Sequence, residues 1–330
     1  MRNTLFGAAV CLATMILGAG LIQPSGARAS NTAQNVVSPG VCDRACLYGI
    51  LDQYLAALKA KDPSRLPLSR NFRYSENNVM MKFPDGVWGT LTGLGNYNLR
   101  TADPVNGTVG CYGIVQETNS TAMFALRLKV ADSKISEAET IIRRSEGSGP
   151  FPSKPVLTEK PAFTEIVPAE ERSLRERMIA IADGYFSTLQ LNDGVLFAPF
   201  YDDCDRWENG LLTTHNPDLA KTILVANLGC AQQFKLGNYR YDDRVRDRRY
   251  FLVDEERGLI MTAGFIDHAG RLENYTLTDG TPMISSIRTP GSLCFLELFK
   301  IRGGKIQQIE SLFIGVPYNM PSPWIQYPSN

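Results

Sequence analysis

Apolar positions recur at helical spacing in two places along the chain. Leu47, Ile50, Leu51, Tyr54, Leu55 and Leu58 fall on one helical face, and Met178, Ile181, Ala182, Tyr185, Phe186 and Leu189 fall on another. Faces of this kind need a surface to pack on. Downstream of each helix the period drops to two. Residues 124–130 with 135–142, and 293–301 with 306–314, read as strand pairs joined by Ala-Asp-Ser and Arg-Gly-Gly turns. The second turn is the better hairpin signal, because glycine accepts the left-handed backbone that tight hairpins need. A short strand is expected over 72–79, and a further pair over 250–254 and 259–268, around Glu255-Glu256-Arg257-Gly258. A helical start followed by antiparallel hairpins predicts an α+β fold.

One apolar run has no such partner. Residues 5–22 follow Arg2 and precede Ala27-Arg28-Ala29, the order of a cleavable secretory signal, so residues 1–29 are expected to be removed and the mature chain to begin near Ser30. The alternative is an uncleaved anchor, since the run approaches the roughly 20 residues of a bilayer span. Gly18, Gly20 and Pro24 loosen its end, and no basic cluster follows it.

The chain also resembles itself. Residues 54–62 align with 185–193, sharing Tyr, Leu and Asp at equal spacing. Arg73-Tyr74-Ser-Glu76-Asn77 matches Arg206-Trp207-Glu208-Asn209 with one gap. Leu94-Gly95-Asn96-Tyr97 reappears as Leu236-Gly237-Asn238-Tyr239, and residues 124–139 line up with 295–310. The offsets grow steadily, as they would if the second copy carried insertions. Between the copies, 145–168 holds Gly147, Gly149 and several prolines, a linker composition. The expected layout is a first domain at 30–144, a linker at 145–172 and a second domain at 173–330.

Composition narrows the function. The 34 basic and 34 acidic residues balance, with no basic stripe, so nucleic acid is set aside as a partner. Once Cys11 leaves with the signal, six cysteines remain in an oxidising compartment: Cys42, Cys46, Cys111, Cys204, Cys230 and Cys294. Disulfides are the expectation, with Cys204 to Cys230 and Cys111 to Cys42 or Cys46 the favoured pairs. His215 and His268 are the only histidines and neither adjoins a Cys pair, so no metal site is expected. Dinucleotide, phosphate-loop, serine-hydrolase and zinc-peptidase motifs are absent, and no cofactor is expected. Asn106, Asn119 and Asn274 head glycosylation sequons that matter in a eukaryotic secretory route.

Helix, short strand and long hairpins in this order, closing on Gly304-Lys-Ile-Gln-Gln-Ile-Glu310, resemble the NTF2-like or SnoaL-like superfamily in both copies. Arg248-Arg249-Tyr250, 253–258, Asp267-His268 and 320–324 in the second copy resemble a group of mostly secreted fungal and bacterial proteins with a domain of unknown function. The first resemblance implies two cones, each a curved sheet around its helices, with a pocket for a small organic molecule. It also implies acid-base lyases and isomerases without organic cofactors.

Such chemistry needs a buried base and a donor for developing negative charge. The mature first copy has no histidine, so the second copy is the expected site. Alternation puts His268 with Ile260, Thr262, Gly264 and Ile266 on one face, and Asp267 with Leu259, Met261, Ala263 and Phe265 on the other; only one of the pair faces the cone. His268 is the candidate base or acid. Tyr250 and Asp254 are expected to share a face as phenol donor and carboxylate, whereas a charged exposed hairpin is the structural reading of the same residues. Arg206 and Arg249 are candidate carboxylate binders or structural ion pairs. Tyr201 and Trp324 are candidate pocket-lining aromatics. The resulting expectation is a secreted, cofactor-independent lyase or isomerase for a small, partly apolar molecule. The alternative is a non-catalytic binding or interaction protein. No membrane partner is expected after signal cleavage, and a homodimer stays open.

Overall fold

A computed structural model describes residues 42–144, 151 and 157–326. The expected signal peptide and much of the expected linker lie outside these residues. Asp43 caps the first helix, α1 (Arg44–Ala60), by accepting from the Cys46 amide at 2.8 Å, and Lys61 closes it in the left-handed region. Six strands follow: β1 (Leu68–Glu76), β2 (Val79–Met80), β3 (Leu91–Asp103), β4 (Thr108–Glu117), β5 (Ser120–Ala131) and β6 (Lys134–Arg143), with a one-turn helix α2 (Val87–Thr90) before β3. After a one-turn helix α3 (Pro161–Thr164), the plan repeats from α4 (Arg175–Leu191) through β7 (Phe200–Glu208), β8 (Leu211–Leu212), the short helix α5 (Cys230–Lys235), β9 (Arg244–Asp254) and β10 (Leu259–His268). The hairpin β11 (Asn274–Thr276) and β12 (Pro282–Ile284) is an insertion, and β13 (Gly291–Arg302) and β14 (Lys305–Val316) complete the set.

The two six-stranded sheets share one strand order, β2-β1-β6-β5-β4-β3 and β8-β7-β14-β13-β10-β9. The fold is therefore α+β, as the change of hydrophobic period predicts. Three of the four self-matches fall on equivalent elements. Phe124 pairs with Ile142 as Phe295 pairs with Phe313, and Asn77 bonds the Ile142 amide as Asn209 bonds that of Phe313. The fourth does not. Leu94 to Tyr97 lie in β3, whereas Leu236 to Tyr239 form a turn after α5, so that identity reflects no shared position.

Each sheet turns one face to its own helix. Leu47, Leu51, Tyr54 and Leu58 of α1 pack on the first, and Met178, Ile181, Tyr185 and Phe186 of α4 on the second. The outer faces pack on each other. Tyr112, Met123 and Ala125 of the first sheet meet Leu252, Met261, Phe265, Leu296 and Leu298 of the second in one buried cluster, so the described residues form a single compact unit. Ion pairs ring this interface: Arg175 with Asp103 at 2.7 Å, Lys160 with Glu310 at 2.6 Å, Arg127 and Arg249 with Glu139, and Arg44 with Asp254. Alternation along β10 holds, with Leu259, Met261, Ala263 and Phe265 in this interface and Ile260 against α4.

Two segments bind the copies together. Residues 157–172, expected as linker, form an ordered strap in which Phe163 is fully buried and the Lys300 Nζ donates to the Glu165 and Arg257 carbonyls. The chain end crosses back onto the first sheet. Trp324 donates to Ser75 Oγ at 3.0 Å and lies under the Arg73 and Arg127 guanidiniums, and Asn78 donates to the Pro321 carbonyl.

Of the expected disulfides, Cys204–Cys230 forms. The pairing of Cys111 with Cys42 or Cys46 does not: Cys42 and Cys46 bond each other across the first turn of α1. Cys111 on β4 and Cys294 on β13 are free thiols, each buried in its sheet. Burial pushes both thiols up, Cys111 to about 12. Among the described residues, no helix is long and apolar enough to cross a membrane.

Candidate functional site

The two copies treat equivalent positions on their inner faces differently. Glu76 and Glu208 occupy the same place, opposite Thr140 and Ser311. In the first copy Glu76 is consumed by structure: its Oε2 accepts from the Val87 amide at 2.7 Å and from Tyr74 at 3.1 Å, and Arg144 pairs with Oε1. Trp88 of α2 then fills the interior, donating to the Tyr54 hydroxyl at 3.2 Å and stacking edge-on against Phe83 and Tyr54. Leu126 completes an apolar core.

In the second copy the position of Leu126 is taken by Glu297, since Leu126 pairs with Thr140, which faces Glu76, and Glu297 pairs with Ser311, which faces Glu208. Tyr185, the counterpart of Tyr54, now donates to Glu297 at 3.4 Å. The chain between β8 and β9 is longer than its first-copy equivalent and runs through short 3₁₀ turns and α5 around the interior. A cavity of ≈ 660 Å³ results, lined by mostly apolar walls with Arg206, Glu208, Gln233, Asp242, His268 and Glu297 among the polar groups. Volume and composition are those of a small-molecule site.

Its charges are arranged in pairs. Arg206, 1% exposed, reaches Glu208 at 3.3 Å and also donates to Gln233 and Tyr239. Gln233 is fixed in turn, donating to the Thr213 and Val225 carbonyls. His268 Nε2 lies 2.8 Å from Asp242 Oδ1, which leaves Nδ1 as the nitrogen able to meet a ligand. Burial raises the Asp242 carboxyl above its ordinary value, with His268 working against that rise. Burial likewise pushes Glu297 up to about 8, reinforced by the charge of Glu208 and opposed by Arg206. At neutral pH Glu297 therefore holds a proton inside an apolar cavity.

Of the residues singled out from sequence, the cavity brings together His268 and Arg206. Tyr250 faces α4 and donates to Asp183 at 2.6 Å, outside the cavity lining. Asp254 is on the opposite sheet face, bound to Arg44 of the first copy. The expected shared face of Tyr250 and Asp254 fails because β9 bulges at Phe251: Leu252 pairs with Met261 but Tyr250 with Thr262, and the extra residue reverses the alternation. Arg249 is turned to the sheet interface and Glu139, and Trp324 belongs to the chain-end clasp; both line a shallow outer groove of ≈ 260 Å³. Tyr201 lies at the start of β7 beside Lys305. Asp267 is the member of the Asp267-His268 pair that faces away, held by Arg244, Arg246 and Ser292.

Sequence reasoning paired Arg206 with Glu208, and that pair forms, but it missed Asp242 and Glu297. The signal for Glu297 was present: a lone carboxylate at an inward position of an otherwise apolar strand, 293–299, where the first copy has leucine. Asp242 sits in a loop and carries no pattern. Among the described residues no group of His, Cys, Asp and Glu is placed to hold a metal ion.

Residues 171–313 match a sequence family described as Domain of unknown function (DUF8021). None of the curated proteins matches the chain. Among solved structures, the chain is similar to a protein provisionally named a polyketide cyclase from Xanthomonas campestris pv. campestris, at 13% identity over 43% of this chain and 93% of that one, with a TM-score of 0.27. A second protein of that provisional name, from Silicibacter sp., matches at 15% identity over 42% of this chain and 90% of that one, with a TM-score of 0.28. An NTF2-like protein of unknown function from Cytophaga hutchinsonii matches at 13% identity over 43% of this chain and 100% of that one, with a TM-score of 0.24.

Proposed function

We propose that the second copy is a cofactor-independent lyase or isomerase, working by acid-base chemistry on a small, partly apolar molecule, and that its signal segment exports the chain. The observation that carries this reading is the placement of two proton-handling groups of different character on the wall of one cavity. His268, backed by Asp242, is suited to take a proton from carbon through Nδ1. Glu297, protonated at neutral pH, is suited to donate to the substrate oxygen on which negative charge develops. Arg206, paired with Glu208, adds donors on the same cavity wall. The first copy, whose interior is filled by Trp88 and Leu126, serves as a backing for the second. The two disulfides suit an oxidising compartment.

The test begins with native mass spectrometry of any molecule that co-purifies with the full chain. Exchange of its carbon-bound hydrogens in deuterated water is then followed with wild type, His268→Ala and Glu297→Gln. Loss of exchange by about 10² to 10⁴-fold in each variant is the expected result for a general acid or base. Retained binding with exchange rates equal to wild type would sink the enzymatic reading and leave a binding protein.

A further inference from the structure

Part of the cavity lining runs against what solvation alone would favour, with charged groups buried inside and large apolar side chains exposed at the edge. The polar side chains are shut away: Gln233 is 0%, Arg206 1% and Glu297 4% exposed. Some of the apolar ones stand in water, with Ile284 72% and Leu224 65% exposed although both line the same cavity, while others such as Leu189, Val225 and Ala226 are buried. Both rim residues come from parts of the second copy without a counterpart in the first, Ile284 from the β11–β12 hairpin and Leu224 from the 3₁₀ turn Leu224–Asn227. Apolar side chains held at the edge of an opening gain free energy when something apolar covers them.

The deep end selects the kind of head group. The charge of Arg206 is matched by Glu208 at 3.3 Å and that of His268, when protonated, by Asp242 at 2.8 Å. No surplus positive charge is left for an anionic head, which would instead approach the Glu208 and Asp242 carboxylates. An uncharged oxygen meets donors from Arg206 and from the neutral carboxyl of Glu297.

We infer that the cavity takes an amphipathic molecule head-first, with an uncharged carbonyl or hydroxyl at Arg206, His268 and Glu297 and an apolar tail emerging between Leu224 and Ile284. This names the substrate class of the site proposed above and rests on that site lying at the deep end. The tail, not a second protein, is the occupant of the rim because the same cavity carries apolar side chains at every degree of burial, from the exposed Leu224 and Ile284 through the half-buried Ile287 and Leu293 to the buried Leu189, Val225 and Ala226.

The experiment is calorimetric titration of the full chain with a homologous series of 2-alkanones, and with the carboxylates and primary amines of matching length. Affinity for the ketones should rise about fourfold per added methylene, the equivalent of ~0.8 kcal/mol per buried CH₂, until the tail clears the rim. The Leu224→Ser/Ile284→Ser double variant should weaken the longest ketones by roughly tenfold and leave the shortest unchanged. Its thermal midpoint should match wild type, since both side chains are exposed. Affinity independent of chain length, carboxylates or amines binding tighter than ketones, or a double variant that keeps full affinity for the longest ketones would each overturn the inference. So would concentration-dependent self-association of the wild type that the double variant abolishes. Chain-length-dependent binding without hydrogen exchange in any ketone would leave this inference standing while the acid-base reading fell; exchange on short polar ketones with no length dependence would do the reverse.

Discussion

Replacing Glu297 by Gln should change how stability depends on pH, and the size of the change follows from where the side chain sits. In the unfolded chain this carboxyl ionises near 4.5, but in the folded protein burial and the nearby Glu208 push it up to about 8. The folded state thus binds the proton more tightly, and stability is greatest below 4.5 and declines as pH rises towards 8. Each pH unit across that interval costs about 1.4 kcal/mol, so complete ionisation costs on the order of 5 kcal/mol. Gln keeps the shape and the acceptor for Tyr185 but has no proton to lose. The variant should therefore match wild type in acid and exceed it above pH 8, by roughly 10 °C in Tm at ~2 °C per kcal/mol for a chain of this size. The assay is thermal and urea unfolding of both proteins in a series of buffers spanning the interval. Subtracting the two curves removes the other carboxyls, Asp242 included. A difference that stays flat across the interval would refute the argument that Glu297 is a buried, protonated acid.

Other outcomes follow from the interface and the cysteines. Arg175→Ala should cost about 3–5 kcal/mol by urea unfolding, because it leaves the fully buried Asp103 carboxylate without a countercharge, held only by the Val253 and Asn106 amides. Replacing Cys204 and Cys230 together by Ser opens a loop of separation 26 and should cost about 3.5 kcal/mol, whereas the same change at Cys42 and Cys46, separation 4, should cost about 2. A thiol reagent such as Ellman's should label Cys111 and Cys294 only after denaturation, since both are buried and burial keeps their thiols protonated. Hydrogen exchange catalysed at the cavity should fall as pH rises past about 8, when Glu297 loses its proton.

The elements were legible in the sequence wherever one physical cause sets the pattern. The face of α4 and the alternation of β10 follow from burial on one side, and both are as the periodicity predicts. The β9 face was not legible past Phe251, because a bulge is set by pairing with β10 and leaves no mark on local spacing. Nor was the identity of Leu94-Gly95-Asn96-Tyr97 with the turn at Leu236 a guide, since four identical residues carry no register without the strands around them. The site was half legible. His268 stands out as a lone histidine on an inward face, but Arg206 gains its role from Glu208, Gln233 and Tyr239, which only the folded chain assembles. Arg249 and Asp254 misled because sequence shows a charge without showing that a second sheet supplies its partner.

The back-to-back packing of the two sheets has a practical consequence for where the protein can be cut. A fragment limited to 171–313, the span of the matching sequence family, would keep the cavity wall but end before Trp324 and omit Lys160 and Phe163 of the strap. Leu252, Met261, Phe265, Leu296 and Leu298 would then present a broad oily sheet face to water, with Glu310 stripped of its lysine. Such a piece should clump or borrow a second copy of itself for cover. The shortest span that can be handled as a self-sufficient protein is therefore the ordered pair of copies, strap and chain end included.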